Sequence, residues 1–277
     1  MKCRRPHRLS MASAMRTDVA EADAEALDGF DPEQVDMMAE AVILVDEMDR
    51  PLGRASKVNA HRGAGAYHRA FSVMLFDQNG RLLLQRRADD KITFPGIWAN
   101  TCCSHPLDVP EEREETDGLG VRRAAVRKLK QELGIESVSV DDLTYVGRFR
   151  YQARQDETWI EREVDHLLVG RVKDLEVSPN PNEVAEVRWV SQDDMEAMLV
   201  EEDPEHPVAP WFRCIAARLM DDAWWNAETK EDHQALFDEH IHDLGDVSHM
   251  LPGAVGADLR TSVLEVLPLV ESRIASR

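Results

Sequence analysis

The chain has 277 residues, 43% of them hydrophobic, with 53 acidic against 33 basic side chains and a formal net charge of −20. That length suits one large domain with appendages or two small ones, and the hydrophobic share is ordinary for a globular core. The acidic excess argues against nucleic acid as a partner, because phosphate backbones are held by surplus Lys and Arg; no apolar run approaches the ~20 residues of a bilayer span, which argues against a membrane.

Four cysteines, Cys3, Cys102, Cys103 and Cys214, are too few and too clustered for a disulfide framework, which fits a reducing, cytoplasmic setting. The opening "MKCRRPHRLS" is basic but lacks the apolar stretch of a signal peptide, so secretion is not indicated. Carboxylates recur in blocks such as "PEEREETD" and "VEEDPEHP", a surface that repels itself at low ionic strength and suggests adaptation to high salt.

Residues 1–38 show no alternating pattern and read as a mobile acidic tail outside the core; Met11 and Met15, after its basic tip, are candidate translation starts. From Ala41 the segments "AVILVD", "LGRASKV", "AFSVMLF" and "RLLLQRR" alternate with turn sequences, "DQNG" among them, and predict a strand meander. Residues 121–133 put Val121, Ala125, Val126, Leu129 and Leu133 on one helical face, and Gly134 supplies the stop. "LTYVGRFRYQA", "WIEREVDHLLVGRV" and "VAEVRWV" read as further strands, the last running into a helical "SQDDMEAMLVEE". Helices are expected over 208–225, 229–244 and 256–275, with Pro252 and Gly253 separating the last two. The class is α+β: a tail over 1–38, a catalytic domain over 39–230 and a C-terminal helical extension over 231–277.

The chemistry-bearing residues lie in the middle. "GIWANTCCSHP" sets Cys102 and Cys103 before His105. The stretch offers three readings: a disulfide, which between neighbouring cysteines would be strained, a zinc knuckle, which lacks a second close ligand pair, and a nucleophile beside a metal ligand. His61 and His68 in "NAHRGAGAYHRAF" are further candidates. In "WIEREVDH", Glu161 and Glu163 alternate along a strand and share a face, and two like charges side by side require a cation between them or a proton on one.

The end of the 121–133 helix resembles the Nudix hydrolase signature G-x5-E-x7-R-E-U-x-E-E-x-G-U: Gly134, Arg127 and Glu132 match, while Leu119, Lys128 and Gln131 stand at its other acidic positions and Arg113 at its first glycine. A helix stripped of those carboxylates suggests the fold with different chemistry. Several further blocks resemble type I isopentenyl-diphosphate delta-isomerases, which share the Nudix fold, and the resemblance runs roughly from Ala41 to Trp225. It implies a mixed β-sheet sandwiched by helices, with extra C-terminal helices.

By that resemblance, "KVNAHRGAGAYHRAF" gives Lys57 to the diphosphate and His61 and His68 to a metal. "RRADDKITFPGIWANTCCSHP" gives Arg87 and Lys91 to the diphosphate, Cys103 to catalysis and His105 to the metal. "RYQARQDETWIEREVDH" gives Tyr151 a hydrogen-bonding role, Glu161 to the metal and Glu163 to metal and proton transfer; "APWF" gives Trp211 to the active site. Lys128 adds a cation at the diphosphate, and Cys102, pointing the other way from Cys103, is left to packing. The implied reaction interconverts isopentenyl and dimethylallyl diphosphates, with Glu163 as proton donor and Cys103 as base on the opposite face, although the two assignments can be exchanged because the reaction is reversible. Trp211 would face the cation formed. Mg²⁺ would bridge the diphosphate to Glu132, and one Mn²⁺, Mg²⁺ or Zn²⁺ would sit in the His/Glu site. The partner is a small isoprenoid diphosphate, and a homo-oligomer is left open. The rivals are a Nudix hydrolase of nucleoside diphosphates and a metal-stabilised binding protein without turnover.

Overall fold

The computed structural model describes residues 25–201, 203, 205–251 and 268. Its first complete element is α1 (Pro32–Met38), where Pro32 opens the helix and Asp31 caps it by accepting the amides of Glu33 and Gln34. β1 (Ala41–Val45) and β2 (Pro51–Ser56) pair antiparallel, and Ser56 caps the single turn α2 (Lys57–Ala60). β3 (His68–Asp77) ends in a tight turn: Asp77 accepts the amides of Asn79 and Arg81, and Gly80 takes φ +75°, where a side chain would be strained. β4 (Leu82–Arg87) follows, then the short β5 (Trp98–Ala99) and β6 (Cys102–Ser104).

The amphipathic segment forms α3 (Leu119–Leu133), with Val121, Ala125, Leu129 and Leu133 buried and Gly134 closing it at φ +64°. β7 (Thr144–Arg154), β8 (Ile160–Val172) and β9 (Val184–Val190) then lead into α4 (Gln192–Val200), which a Ser191/Asp194 capping box starts.

The sheet runs β10 (Ile241–Asp246)-β7-β8-β3-β1-β2, with β4 and β6 also on β3 and β9 on β4. At its centre β3 and β8 pair in parallel from His68↔Glu163 to Asp77↔Val172, and all ten residues of β3 are buried. Burial on both faces explains the continuous apolar run of "AFSVMLF". Along β3 the pleat alternates: Met74 and Phe76 pack against Trp211, Phe212, Ile215 and Trp225, whereas Phe71, Val73 and Leu75 pack against α3. The fold is α+β, a mixed sheet between helices. Among the described residues no helix is long and apolar enough to cross a membrane.

Three expectations change. The helix expected over 208–225 is broken into α5 (Pro210–Cys214), a π turn over Ile215–Leu219 and α6 (Asp222–Asn226). The helix expected over 229–244 stops early: after α7 (Lys230–Ala235) the chain becomes β10 (Ile241–Asp246), parallel to β7 in the register Ile241↔Arg148 to Asp246↔Gln152. The open hydrogen-bonding edge of β7 outcompetes helical spacing there, so the boundary at 231 does not separate a purely helical extension from the catalytic domain. Nor does all of 1–38 lie outside the core: Met38 is buried with Val58, Ile92 and Trp159, and buried Gln34 donates to Asn182 O at 2.7 Å. The helix expected over 256–275 lies outside the described residues apart from Pro268.

Candidate active site

Three imidazoles converge from separate elements. His61 follows α2, His68 opens β3 and His105 follows β6. His61 Nδ1 lies 2.7 Å from Lys57 O and His68 Nδ1 2.7 Å from Ala66 O. A carbonyl oxygen only accepts, so each Nδ1 carries a hydrogen and each ring turns its Nε2 inward. There His61 Nε2 meets Glu161 Oε2 at 2.7 Å, and His105 Nε2 lies 2.7 Å from Glu163 Oε1 and 3.1 Å from His68 Nε2. Glu161 and Glu163 share one face of β8, as their spacing requires, and the ligand atoms of all five buried residues lie within 4.8 Å of one another.

Lone pairs crowded in a dry space need a positive charge between them. Burial alone opposes charging His61, but the Glu161 carboxylate, its hydrogen bond and Glu163 push its pKa up, so a proton can take the place that a metal cation would fill. Imidazole nitrogens mixed with carboxylates fit a divalent ion such as Mn²⁺, Zn²⁺ or Mg²⁺.

The other candidates surround the same place. Tyr151, on β7 opposite Glu163, donates its hydroxyl to Glu163 Oε2 at 2.6 Å. Cys103 sits on β6 facing this side, while Cys102 points into the α3 side of the sheet; both are free thiols. Burial pushes the Cys103 thiol up to about 12, because the pull of Arg87 is opposed by Glu132, Asp165 and Glu163. Trp211 is buried edge-on to Phe94, with ring centroids 5.2 Å apart, and 6.0 Å from the Tyr151 ring.

Lys57, Arg87, Lys91, Lys128 and Glu132 share one cavity with Cys103, His105, Tyr151, Glu161, Glu163 and Trp211. His61 and His68 stand behind it as ligand neighbours. The cavity measures about 40 Å³, room for roughly three waters, and Gln34, Met37 and Met38 of α1 also line it. Burial, with Lys128 and Lys91 close by, lowers Lys57 to about 8. Lys128 is raised instead: burial opposes its charge, but Glu132 and Glu183 outweigh it, and Lys128 Nζ lies 3.0 Å from Glu132 Oε1. Arg87 is committed more to the protein than its sequence block implied. Its Nε donates to Phe94 O at 2.9 Å and its Nη2 to Thr93 O at 2.8 Å, while Nη1 faces Cys103 Sγ at 3.7 Å.

Several functional neighbours escaped the sequence reading. Glu183, buried just before β9, holds Lys91 Nζ at 2.5 Å. Asp165 follows Glu161 and Glu163 on their face of β8 and accepts the Ser72 hydroxyl at 2.8 Å. The same period of two that marks the glutamates extends to Asp165; nothing in the local pattern marks Glu183.

A NUDIX domain model matches residues 66–212. The chain is 45% identical over 206 residues to "Isopentenyl-diphosphate Delta-isomerase 1" of Bos taurus, covering 72% of this chain and 90% of that one. It is 42% identical over 227 residues to the isopentenyl-diphosphate delta-isomerase of Phaffia rhodozyma, covering 79% and 89%, and 42% identical over 218 residues to "Isopentenyl-diphosphate Delta-isomerase II, chloroplastic" of Arabidopsis thaliana, covering 75% and 76%. The chain belongs to the isopentenyl-diphosphate delta-isomerase family.

In this family member the helix that carries the Nudix resemblance is α3, and its Arg127 has a structural task. Its Nε and Nη2 donate to the two oxygens of Glu112 at 2.7 and 2.9 Å, and Nη2 also reaches His105 O at 3.2 Å. Glu112 Oε2 in turn accepts the Leu107 amide. The bidentate pair thus fixes the backbone that presents His105.

Proposed function

We propose that this chain interconverts isopentenyl diphosphate and dimethylallyl diphosphate in the cytoplasm, serving isoprenoid biosynthesis. What supports the reading is the meeting, at one buried cavity, of the His/Glu cluster, the carboxylate–phenol pair Glu163–Tyr151, the thiol of Cys103 and the cations Lys57, Arg87, Lys91 and Lys128.

The substrate's double bond moves with no net oxidation: a proton adds to the terminal carbon, a tertiary carbocation or something close to it forms, and a proton leaves C2. Alkenes are very weak bases, so the acid must be held against the double bond with water excluded. Glu163 delivers the proton, with the Tyr151 hydroxyl fixing its carboxyl group, and Cys103 on the other face removes one. Afterwards the thiol holds the proton and Glu163 is ionised; burial, which pushes the Cys103 thiol up, favours that state at the cysteine. That pattern starts the reverse reaction, so both directions use one pair of groups.

Trp211 offers its indole face to the positive charge, a contact worth roughly 2 kcal/mol when desolvated. Lys57, Lys91 and Lys128, with Arg87, hold the diphosphate and keep it from leaving the carbocation. His61, His68, His105, Glu161 and Glu163 would hold one Mn²⁺, Mg²⁺ or Zn²⁺, and Glu132 a Mg²⁺ bound to the diphosphate. A divalent ion at Glu163 supplies Lewis acidity that tunes the carboxyl proton.

The test is incubation with isopentenyl diphosphate, Mg²⁺ and trace Zn²⁺ in D₂O, followed by proton NMR. Dimethylallyl diphosphate carrying deuterium is the expected product; intact, unlabelled substrate with folded, metal-loaded protein would refute the activity, and release of phosphate would point to a hydrolase instead.

A further inference from the structure

We propose that Gln85 and Cys102 are positioning residues for Glu132: they hold its Oε2 in the floor of the cavity so that Oε1 is the oxygen presented to the Mg²⁺–diphosphate. The inference rests on the reading of Glu132 and the neighbouring lysines as the diphosphate site.

Glu132 stands in the last turn of α3 and is almost wholly buried. Its Oε2 receives the Gln85 side-chain amide at 3.3 Å and the Cys102 thiol at 3.6 Å, and its Oε1 receives Lys128 Nζ at 3.0 Å. The three donors come from different elements. Gln85 is on β4 and Cys102 on β6, both at 1% exposure or less, whereas Lys128 lies one turn back on the helix of Glu132 itself.

Gln85 is an odd choice for its place. It follows the buried Leu82, Leu83 and Leu84 in a strand where only Arg86 is half-exposed, and its Oε1 has no hydrogen-bond partner. A buried amide with half its capacity unmet disfavours folding relative to an apolar residue of the same size. Its retained contact is the one to Glu132, so the geometry around that carboxylate is what the amide serves.

Charge separates the roles of the two oxygens. An amide N–H and a thiol S–H are neutral donors; they fix the orientation of a carboxylate without cancelling its charge. Lys128 would cancel it, but Lys128 lines the cavity and can turn to a phosphate oxygen when one arrives. Glu132 then keeps a full negative charge, with Oε2 tied to two strands and Oε1 free for the cation. A hydrogen-bonded outer oxygen and an open inner one is the usual way a protein aims a carboxylate at a metal. The packing role first assigned to Cys102 therefore gains a second part.

Binding of inorganic diphosphate to the full-length, Zn²⁺-loaded protein by calorimetry, with and without added Mg²⁺, tests this apart from turnover. Gln85→Met and Cys102→Ala are each expected to weaken binding in Mg²⁺ roughly 10-fold, within the range found for outer-shell partners, and to leave Mg²⁺-free binding unchanged. Cys102→Ser, which keeps a donor, should return most of the loss. Equal affinity of the wild type and both variants in Mg²⁺ would overturn the proposal, as would the same loss with and without Mg²⁺. If Gln85→Met does not fold, the alanine and serine variants at Cys102 decide: weak and restored binding supports the proposal, and equal binding refutes it. A wild type that binds no diphosphate in either condition would instead remove the diphosphate reading of the site.

Discussion

Cys102 and Cys103 are neighbours in sequence and opposites in the fold, because a strand sends successive side chains to opposite faces. Cys103 faces the cavity and Arg87; Cys102 faces α3 and Glu132. Cys103→Ala is therefore expected to abolish isomerisation, while Cys102→Ala keeps most of kcat at saturating Mg²⁺; similar turnover in the two variants would end the distinction. This pair was legible in the sequence because strand alternation is local, and so were His61, His68, His105, Glu161 and Glu163, which lie in recognisable blocks. Glu183 and Gln85 were not. Each meets its partner across about ninety or fifty residues of chain, and no periodicity encodes that. A second buried group makes the same point away from the site. Asp49 adopts φ +62° in the β1–β2 turn and contacts Arg69 Nε at 2.8 Å, His166 Nε2 at 2.9 Å and Arg148 Nη1 at 3.2 Å. Burial pushes its carboxyl up, but the His166 hydrogen bond and the His166 and Arg69 charges outweigh it and bring the pKa to about 2. A depressed carboxylate adds stability that is complete above the unfolded value near 3.8 and disappears as pH falls toward about 2. Asp49→Asn should thus flatten the loss of stability between roughly pH 4 and 2, as read by urea titrations at stepped pH. An unchanged acid limb would mean that Asp49 is not the group being titrated.

At the scale of elements, the strands and α3 follow from pattern because each is long and bounded by clear punctuation, Gly134 and the Asp77–Gly80 turn being examples. The region after Trp211 does not, because tertiary pairing decides it. Residues 241–246 carry helical spacing, yet β7 offers an unsatisfied edge, and pairing there satisfies both backbones. The consequences reach the site. Tyr151 of β7 pairs with Gly245, Val247 N donates to Gln152 O at 2.8 Å, and Met250 and Leu251 join the apolar cluster that contains Trp211. Ending the chain after Lys230 removes all of these. The expected result is a Tm lower by at least about 5 °C, corresponding to a loss of a few kcal/mol for a domain of this size, with reduced turnover as Tyr151 and Trp211 lose support. A truncated protein with unchanged Tm and activity would show that β10 decorates the sheet without bracing the site.

Over the whole molecule two charge distributions oppose each other. The surface is set by a net −20, whereas at the cavity Lys57, Arg87, Lys91 and Lys128 stand beside Glu132, Glu161, Glu163 and the Lys91 partner Glu183. A diphosphate must cross the negative field to reach those cations, and the folded chain must hold its carboxylates together. Both costs fall as salt shortens the screening distance, from about 30 Å at 0.01 M to about 3 Å at 1 M. The buried lysines are screened less, being out of the ions' reach, so salt should weaken the long-range repulsion more than the contacts that bind substrate. Raising KCl from 0.01 M to 1 M is therefore expected to increase Tm and, over the first few tenths molar, to lower KM for the diphosphate substrate. Sucrose at matched osmolality controls for exclusion effects that favour any compact state. If sucrose raises Tm as much as KCl does, or if Tm is the same in dilute and molar salt, surface repulsion does not limit this fold and its acidity requires another cause.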